Sequence, residues 1–181
     1  WAEAMRRVFY CGEWLQSHAL HIHLLAAPDF LGFDDVLAMT AGHAVALQRG
    51  LRLHGLGADV VRLFGGRLVH PVGVRVGGFH RAPDRAEVAP LVERLATAIP
   101  EAEDLVRWVA SLGFPADEQP FTSVALGHPH EYALGAGRIQ SGDGLDVSVS
   151  QFAEQVETSQ VPHSSALHAR IDGRPYLVGP V

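Results

Sequence analysis

The first 26 residues carry two parallel apolar stripes whose members recur at alternating spacings of three and four, the pattern of one continuous helix. One stripe comprises Trp1, Met5, Val8, Gly12, Leu15, Ala19, Ile22 and Ala26, and the other Ala4, Cys11, Trp14, His18, His21 and Leu25. An apolar arc this wide predicts a helix that is buried on most sides and spans roughly 40 Å. Pro28 is predicted to end it.

A second helix is predicted from a cap at Asp34 or Asp35 to a stop at Gly65-Gly66. The glycine- and valine-rich stretch that follows, residues 65–79, is unsuited to a helix. We expect a loop with extended segments there, packed closely because glycines permit close approach of the backbone.

Two shorter helices are predicted after this loop. Asp84 and Glu87 have the spacing of a capping box at the start of the third helix, and Pro90 should bend that helix or delay its start. A fourth helix should begin at Pro100, a favourable residue for a first turn, and run to Leu112.

The character of the sequence changes near Gln119, where short β-like runs separated by turn residues begin. These runs are FTSVALG, EYALGAG and LDVSVS, and Asp172-Gly173 indicates a hairpin between ALHARI and RPYLVGP. The sequence therefore predicts an α+β fold of mainly long buried helices with a small antiparallel sheet region. Residues 1–118 would be mainly helical and residues 119–181 β-rich.

Charge and composition exclude several classes of function. The formal net charge is −6 without a basic block, which argues against a nucleic-acid partner. No apolar run approaches the roughly 20 residues of a membrane span, so no membrane partner is expected. Because Cys11 is the single cysteine, the chain cannot form an internal disulfide or a multi-cysteine metal site. The sequence starts and stops inside structural patterns, so we expect an internal segment of a longer polypeptide.

His18 and His21 are three residues apart and share one helix face. They could form a metal-binding pair, although the HExxH order is absent, or they could be buried, hydrogen-bonded rings that position something else. His23 is predicted to be a surface or interface residue because it lies on a different face. Cys11 is interpreted as a small buried side chain rather than a nucleophile.

The glycine-rich stretch 65–79 matches neither a P-loop nor a dinucleotide fingerprint. It is either a packed turn, or a loop in which His70, with Arg67 and Arg75 nearby, faces an anionic group or a partner subunit.

Three stretches follow one another along the chain: RRVFYCGEWLQSHALHIHLLAAPDFLGF, GGRLVHPVGVRVGGF and VPHSSALHARIDGRPYLVGP. Together they resemble signatures of the large (alpha) subunit of NiFe hydrogenases, in the soluble, bidirectional NAD(P)-linked branch. The resemblance implies that the chain is part of the larger large-subunit fold. It also implies a Ni-Fe centre with CO and CN ligands, held by two CxxC pairs. Neither pair occurs here, so a central fragment without metal ligands is expected.

The resemblance also implies roles for five residues. Ser17, His18 and His21 would lie beside the metals and tune the site by hydrogen bonds, Ser17 standing where membrane-linked relatives have aspartate. Arg67 and His70 would lie near the small subunit and its nearest iron–sulfur cluster.

The implied activity is reversible heterolytic oxidation of dihydrogen in the cytoplasm. Electrons would pass through iron–sulfur clusters in partner subunits to a flavin and NAD(P), so the expected partners are the hydrogenase small subunit and diaphorase subunits. The fragment alone would be inactive. The alternatives are a metal-free relative on the same scaffold, such as the quinone-site subunit of respiratory complex I, a non-catalytic interaction module, or a self-contained histidine metalloprotein.

Overall fold

A computed structural model describes residues 1–178, which fall into two compact units, the first Trp1–Pro115 and the second beginning at Ala116. The first unit contains α1 (Ala2–Leu20), a π-helical turn (His21–Ala26), α2 (Ala27–Leu31), α3 (Val36–Gly65), β1 (Val74–Arg75), β2 (Gly78–Phe79) and α4 (Arg85–Ala110). The second contains β3 (Val124–Gly127), β4 (Arg138–Ser141), β5 (Asp146–Ser148), a 3₁₀ turn (Val149–Gln151), α5 (Phe152–Gln155), β6 (Val156–Ser159), β7 (His168–Ile171) and β8 (Arg174–Pro175). The predicted α+β class is confirmed.

The prediction that the N-terminal helix ends at Pro28 is wrong. The helix continues to Leu31 and ends at Gly32, which has the left-handed conformation. The π turn explains why the proline is tolerated. Within it the hydrogen bonds span five residues, as where the N–H of Ala27 donates to the carbonyl of Ile22. Pro28 therefore falls in the first turn of α2, where a missing N–H costs little.

The ends of α3 are where the sequence places them. The Asp35 side chain caps its N-terminus by accepting a hydrogen bond from the N–H of Ala38 at 2.8 Å, and Gly66 ends it with φ of +76°. A kink at His43, with φ of −128° and ψ of +31°, was not predicted.

The two predicted helices after residue 83 are a single 26-residue helix, α4, which contains both Pro90 and Pro100. The capping box of Asp84 and Glu87 is confirmed. Each proline leaves the carbonyl four residues earlier without its N–H partner, but Ala86 and Ala96 lie on the exposed side, where water can serve instead.

The hydrophobic core of the first unit lies where α1 and α4 pack against α3. Its main cluster consists of Phe9, Leu56, Val60, Val61, Phe64 and Leu91, and a second cluster consists of Ala19, Leu53 and Leu105. In this chain α1 is buried along one side only, contrary to expectation, because Cys11, Trp14 and Leu25 on its other stripe are exposed. Within residues 1–178 no single helix is long and apolar enough to cross a membrane. The segment Ala2–Leu31 and α3 reach the required length and composition only as a pair, and a bend of 110° separates them.

After Gly65, the last residue of α3, residues 66–79 form a loop with extended segments, as predicted, and these segments pair in a short hairpin that was not predicted. Val74 pairs with Phe79 and Arg75 with Gly78 in antiparallel register. The carbonyl of Gly65 accepts hydrogen bonds from the N–H groups of Val72 and Gly73. This folds the loop back onto the end of α3.

The second unit contains two three-stranded antiparallel sheets, in the orders β3-β4-β5 and β6-β7-β8. Asp172 and Gly173 form the predicted hairpin turn, both with positive φ, between β7 and β8. The run EYALGAG, predicted to be β-like, is not a strand. It forms bends and irregular backbone, and β4 begins directly after it. Gly179 and Pro180, at the end of the predicted strand PYLVGP, lie outside the described residues.

Candidate functional site

Ser17, His18 and His21 lie on the exposed side of the N-terminal helix. The interpretation of the two histidines as buried rings is therefore wrong for this chain. They continue a stripe that includes Trp14, 38% exposed, and Leu25, 59% exposed. An apolar and imidazole-bearing face of this kind has the composition of a surface that packs against other protein.

The ring of His18 is oriented by its own helix. Its Nδ1 lies 2.9 Å from the carbonyl oxygen of Trp14, one turn earlier. A carbonyl can only accept, so Nδ1 carries the hydrogen, and in the neutral ring Nε2 is the acceptor. This contact fixes the direction of the ring on the exposed side of the helix.

His23, by contrast, is completely buried, so its prediction as a surface residue is wrong. The helical period used for that prediction takes no account of the π turn. The Nδ1 of His23 donates to the carbonyl of Ala19 at 2.9 Å. Its ring stacks on Trp108 of α4, with centroids 5.5 Å apart and planes inclined by 21°.

Gly50 of α3 makes room for the His23 ring. A Cβ at position 50 would lie 2.4 Å from Cγ of His23, closer than two carbon atoms can approach. The buried imidazole is thus held between three helical segments.

Arg49, next to Gly50, places its guanidinium over the same tryptophan, with Cζ 5.1 Å from the ring centroid of Trp108. Its Nε and Nη2 are buried and have no hydrogen-bond partner within residues 1–178, and the same is true of Nε2 of His23. Burial lowers the pKa of His23, and the charge of Arg49 lowers it further, while the bond to Ala19 opposes both. Burial and the charge of Arg49 thus both favour the neutral form of the His23 ring.

Burial also lowers the pKa of Arg49, and the carboxylates of Asp104 and Glu101 oppose that effect. Arg49 and Trp108 line an open cleft of about 390 Å³ beside the kinked turn at Ala41–Ala46. Sequence reasoning missed both residues. The available signal was Gly50, since a glycine inside a helix usually marks a close packing contact.

Arg67 and His70 occur together in the loop after α3. Nε of Arg67 donates to the backbone carbonyl of His70 at 2.5 Å, and His70 has a positive φ of 52°. Both side chains are exposed. Arg67 thus stabilises the strained turn, and the turn points the imidazole of His70 away from the core.

The described residues show no arrangement able to hold a metal ion by themselves. Within residues 1–178 no three histidine, cysteine, aspartate or glutamate side chains converge in that way. Cys11 is exposed rather than buried, contrary to its interpretation as a buried side chain.

The chain is similar to two curated hydrogenase subunits of Pyrococcus furiosus, and no family model matches it. Sulfhydrogenase 1 subunit alpha is 29% identical over 99% of this chain and 42% of its own length. Sulfhydrogenase 2 subunit alpha is 30% identical over 98% of this chain and 40% of its own length. The chain therefore spans about two fifths of the length of these relatives.

Solved structures show the same fold. An NAD⁺-reducing NiFe hydrogenase in the dihydrogen-reduced state superposes with a TM-score of 0.79 at 22% identity, covering 94% of this chain and 43% of the other. A reduced, active form of the Ni-Fe-Se hydrogenase of Desulfomicrobium baculatum gives 0.63 at 20% identity, covering 95% and 47%. The chain is thus a homologue of hydrogenase alpha subunits and has the fold of part of a NiFe hydrogenase.

Proposed function

We propose that this chain is part of the large subunit of a NiFe hydrogenase that couples reversible heterolytic oxidation of dihydrogen to reduction of NAD(P). The observation that carries the proposal is the sequence similarity to a sulfhydrogenase alpha subunit along 99% of the chain. The match in fold to an NAD⁺-reducing hydrogenase supports the NAD(P)-linked branch. Iron–sulfur clusters in a small subunit and a flavin-containing diaphorase, all in the cytoplasm, complete the proposed electron path.

The residues of this chain do not fit the role of ligands to the Ni-Fe centre. Four thiolates are expected for that centre, and the chain has one cysteine, Cys11, exposed on α1. No metal-holding cluster occurs within the described residues either. We therefore assign no ligand and no chemical step at the metals to this segment.

The proposed contribution of α1 is one wall of the site. Ser17 and His18 are exposed on α1, His21 is exposed at the start of the π turn that continues it, and the Nδ1 contact of His18 fixes the direction of its ring. Rings oriented in this way accept or donate hydrogen bonds at defined positions, which is how residues around a metal centre adjust its ligands. Replacing His18 or His21 by alanine should lower dihydrogen oxidation in the holoenzyme without loss of the folded protein.

The proposed contribution of the loop after α3 is part of the contact with the small subunit. His70 is exposed at a turn that Arg67 stabilises, so its ring can donate a hydrogen bond across an interface. Hydrogen bonds to a cluster raise its reduction potential. His70→Ala should therefore lower the potential of the nearest cluster, measured by redox titration. His80→Ala is the matched control, because His80 is exposed in the same loop region and its backbone N–H donates to the carbonyl of Gly73, which the substitution retains.

Infrared spectroscopy of the full-length subunit in its complex tests the proposal as a whole. Iron-bound CO and CN stretches should be present, and Cys11→Ser should leave them unchanged. A folded complex without these bands, encoded by a gene without CxxC pairs, would instead support the metal-free relative on the same scaffold. The single cysteine of this chain is the observation that keeps that second candidate open.

A further inference from the structure

The π turn at His21–Ala26 requires a specific cause. Regular α-helix precedes it in α1 and follows it in α2, yet its hydrogen bonds are shifted, as in the bond from Ala27 N–H to the Ile22 carbonyl. Such turns are rare and occur mostly where function requires them, because the wider backbone packs less well than an α-helix. Some interaction must therefore favour it here.

His23 supplies that interaction. His23 lies inside the π turn, and among the polar side chains of residues 1–178 it is the one that is fully buried. Its Nδ1–H donates to the carbonyl of Ala19, which lies in the last turn of α1. The ring thus links the turn to the helix before it, and Gly50 and Trp108 hold the ring from α3 and α4.

The neutral ring fits this role and the protonated ring does not. Nδ1 already donates to the carbonyl of Ala19, so protonation would place a second N–H at the buried Nε2, which has no partner within the described residues. The charged group that acts on the His23 ring is Arg49 of α3. Arg49 is itself influenced by Arg52 of α3 and by Glu101 and Asp104 of α4.

We propose that His23, as the neutral tautomer with hydrogen on Nδ1, is a positioning residue that holds the π turn and so sets the direction in which His21 leaves the helix. His21 is the first residue of that turn and is exposed, whereas His23 is buried two positions later. The inference rests on the proposed function, which assigns His21 to the wall of the active site. It adds a residue that does not itself reach the site.

The first test measures the turn by hydrogen–deuterium exchange of the full-length subunit in its complex. His23→Phe keeps a ring against Trp108 but removes the donor to Ala19. Exchange across residues 21–27 should rise roughly tenfold, the effect of losing one buried hydrogen bond. His54→Phe is the control, since Nδ1 of His54 also contacts a backbone carbonyl, that of Gln16 at 3.0 Å, outside the turn. Unchanged exchange in His23→Phe, or an equal rise in His54→Phe, would overturn the proposal.

The second test asks whether His23 acts through His21. If it does, His23→Phe combined with His21→Ala should reduce kcat for dihydrogen oxidation no further than the more harmful single change. His54→Phe combined with His21→Ala should multiply the two separate effects. His23→Gln should restore part of the activity lost in His23→Phe, because an amide N–H can still donate to Ala19. Multiplying effects for His23 and His21 would contradict a positioning role while leaving the proposed function intact.

The two tests separate the two proposals. A wild-type complex without dihydrogen activity would refute the proposed function, and the exchange measurement would still decide whether His23 holds the turn. If His23→Phe fails to accumulate, the same comparison is made between His23→Leu and His54→Leu, which also remove the ring donor and again differ in whether the altered residue lies in the turn.

Discussion

The contact between α1 and α3 at Gly57 is so close that one methyl group should disrupt it. A Cβ at this position would lie 2.4 Å from the backbone nitrogen of Gln16, 2.6 Å from the carbonyl oxygen of Gly12 and 2.9 Å from Cα of Gln16. All three atoms belong to the backbone of α1, so no side chain can rotate away. Gly57→Ala should therefore push α1 from α3 by roughly 1 Å, the difference from normal van der Waals distance.

The magnitude follows from comparison with Gly55→Ala in the same helix. A Cβ at Gly55 meets nothing within 4 Å, so this variant gains only helix propensity, about 0.5–1 kcal/mol. Gly57→Ala gains the same propensity but overpacks the core. Overpacking costs typically 1–3 kcal/mol, and we expect about 3 because rigid backbone is involved. The two variants should thus differ by about 3 kcal/mol, or roughly 6–12 °C in Tm for a domain of this size.

Thermal and urea unfolding of the intact protein, followed by circular dichroism, measure this difference. Gly55→Ala should unfold above the wild type and Gly57→Ala clearly below it. Equal midpoints for the two variants would show that α1 and α3 do not meet as closely as described, and would refute the packing argument.

Four further predictions concern pH, a cap, a turn and metal content. Stability should fall as pH decreases below about 6.5, by up to about 1.4 kcal/mol per pH unit from this group, because the unfolded His23 ring binds a proton that the buried ring rejects. In His23→Gln, urea titrations at several pH values should lack that component. Asp84→Ala should lose about 1 kcal/mol through the missing cap of α4, whereas Asp84→Asn should lose little, as chemical denaturation can establish. Gly173→Ala should cost about 1 kcal/mol because φ is positive there; an unchanged Tm would contradict this reading of the turn. The isolated 181-residue chain should bind no stoichiometric nickel and show no dihydrogen uptake, and metal analysis finding one nickel per chain would disprove that.

Element ends could be predicted from the sequence because their causes are local. The side chain of Asp35 caps the start of α3, and Gly66 ends that helix because it adopts a positive φ. Asp172 and Gly173 also have positive φ and form the turn between β7 and β8. Proline was a weaker guide. Its effect depends on its place in the helix: Pro28 falls in the first turn of α2, and the carbonyl that Pro90 leaves without its helical partner, that of Ala86, lies on the exposed side.

The sides of the N-terminal helix could not be predicted in the same way. Helical period places residues on faces, but it does not show which face meets protein, and it fails across a π turn. His18, for which a buried ring was one of two interpretations, is exposed, and His23, which was predicted to lie at the surface, is buried. The cluster around His23 was missed for a related reason, since Arg49 and Trp108 lie on two other helices and no spacing in the sequence connects them. The proposed roles of Ser17, His18, His21, Arg67 and His70 come from the family resemblance and stay predictions.

The π turn also determines how the N-terminal region responds to changes in length. A regular helix advances by about 100° per residue. A π turn holds one residue more than the α-helical turn it replaces, so deleting one residue between His21 and Ala26 would let the segment close into a continuous α-helix with α2 in nearly the same orientation relative to α1. A one-residue deletion here would therefore be absorbed by the turn and leave the entry into α3 nearly unchanged, whereas the same deletion within α1 would rotate everything after it.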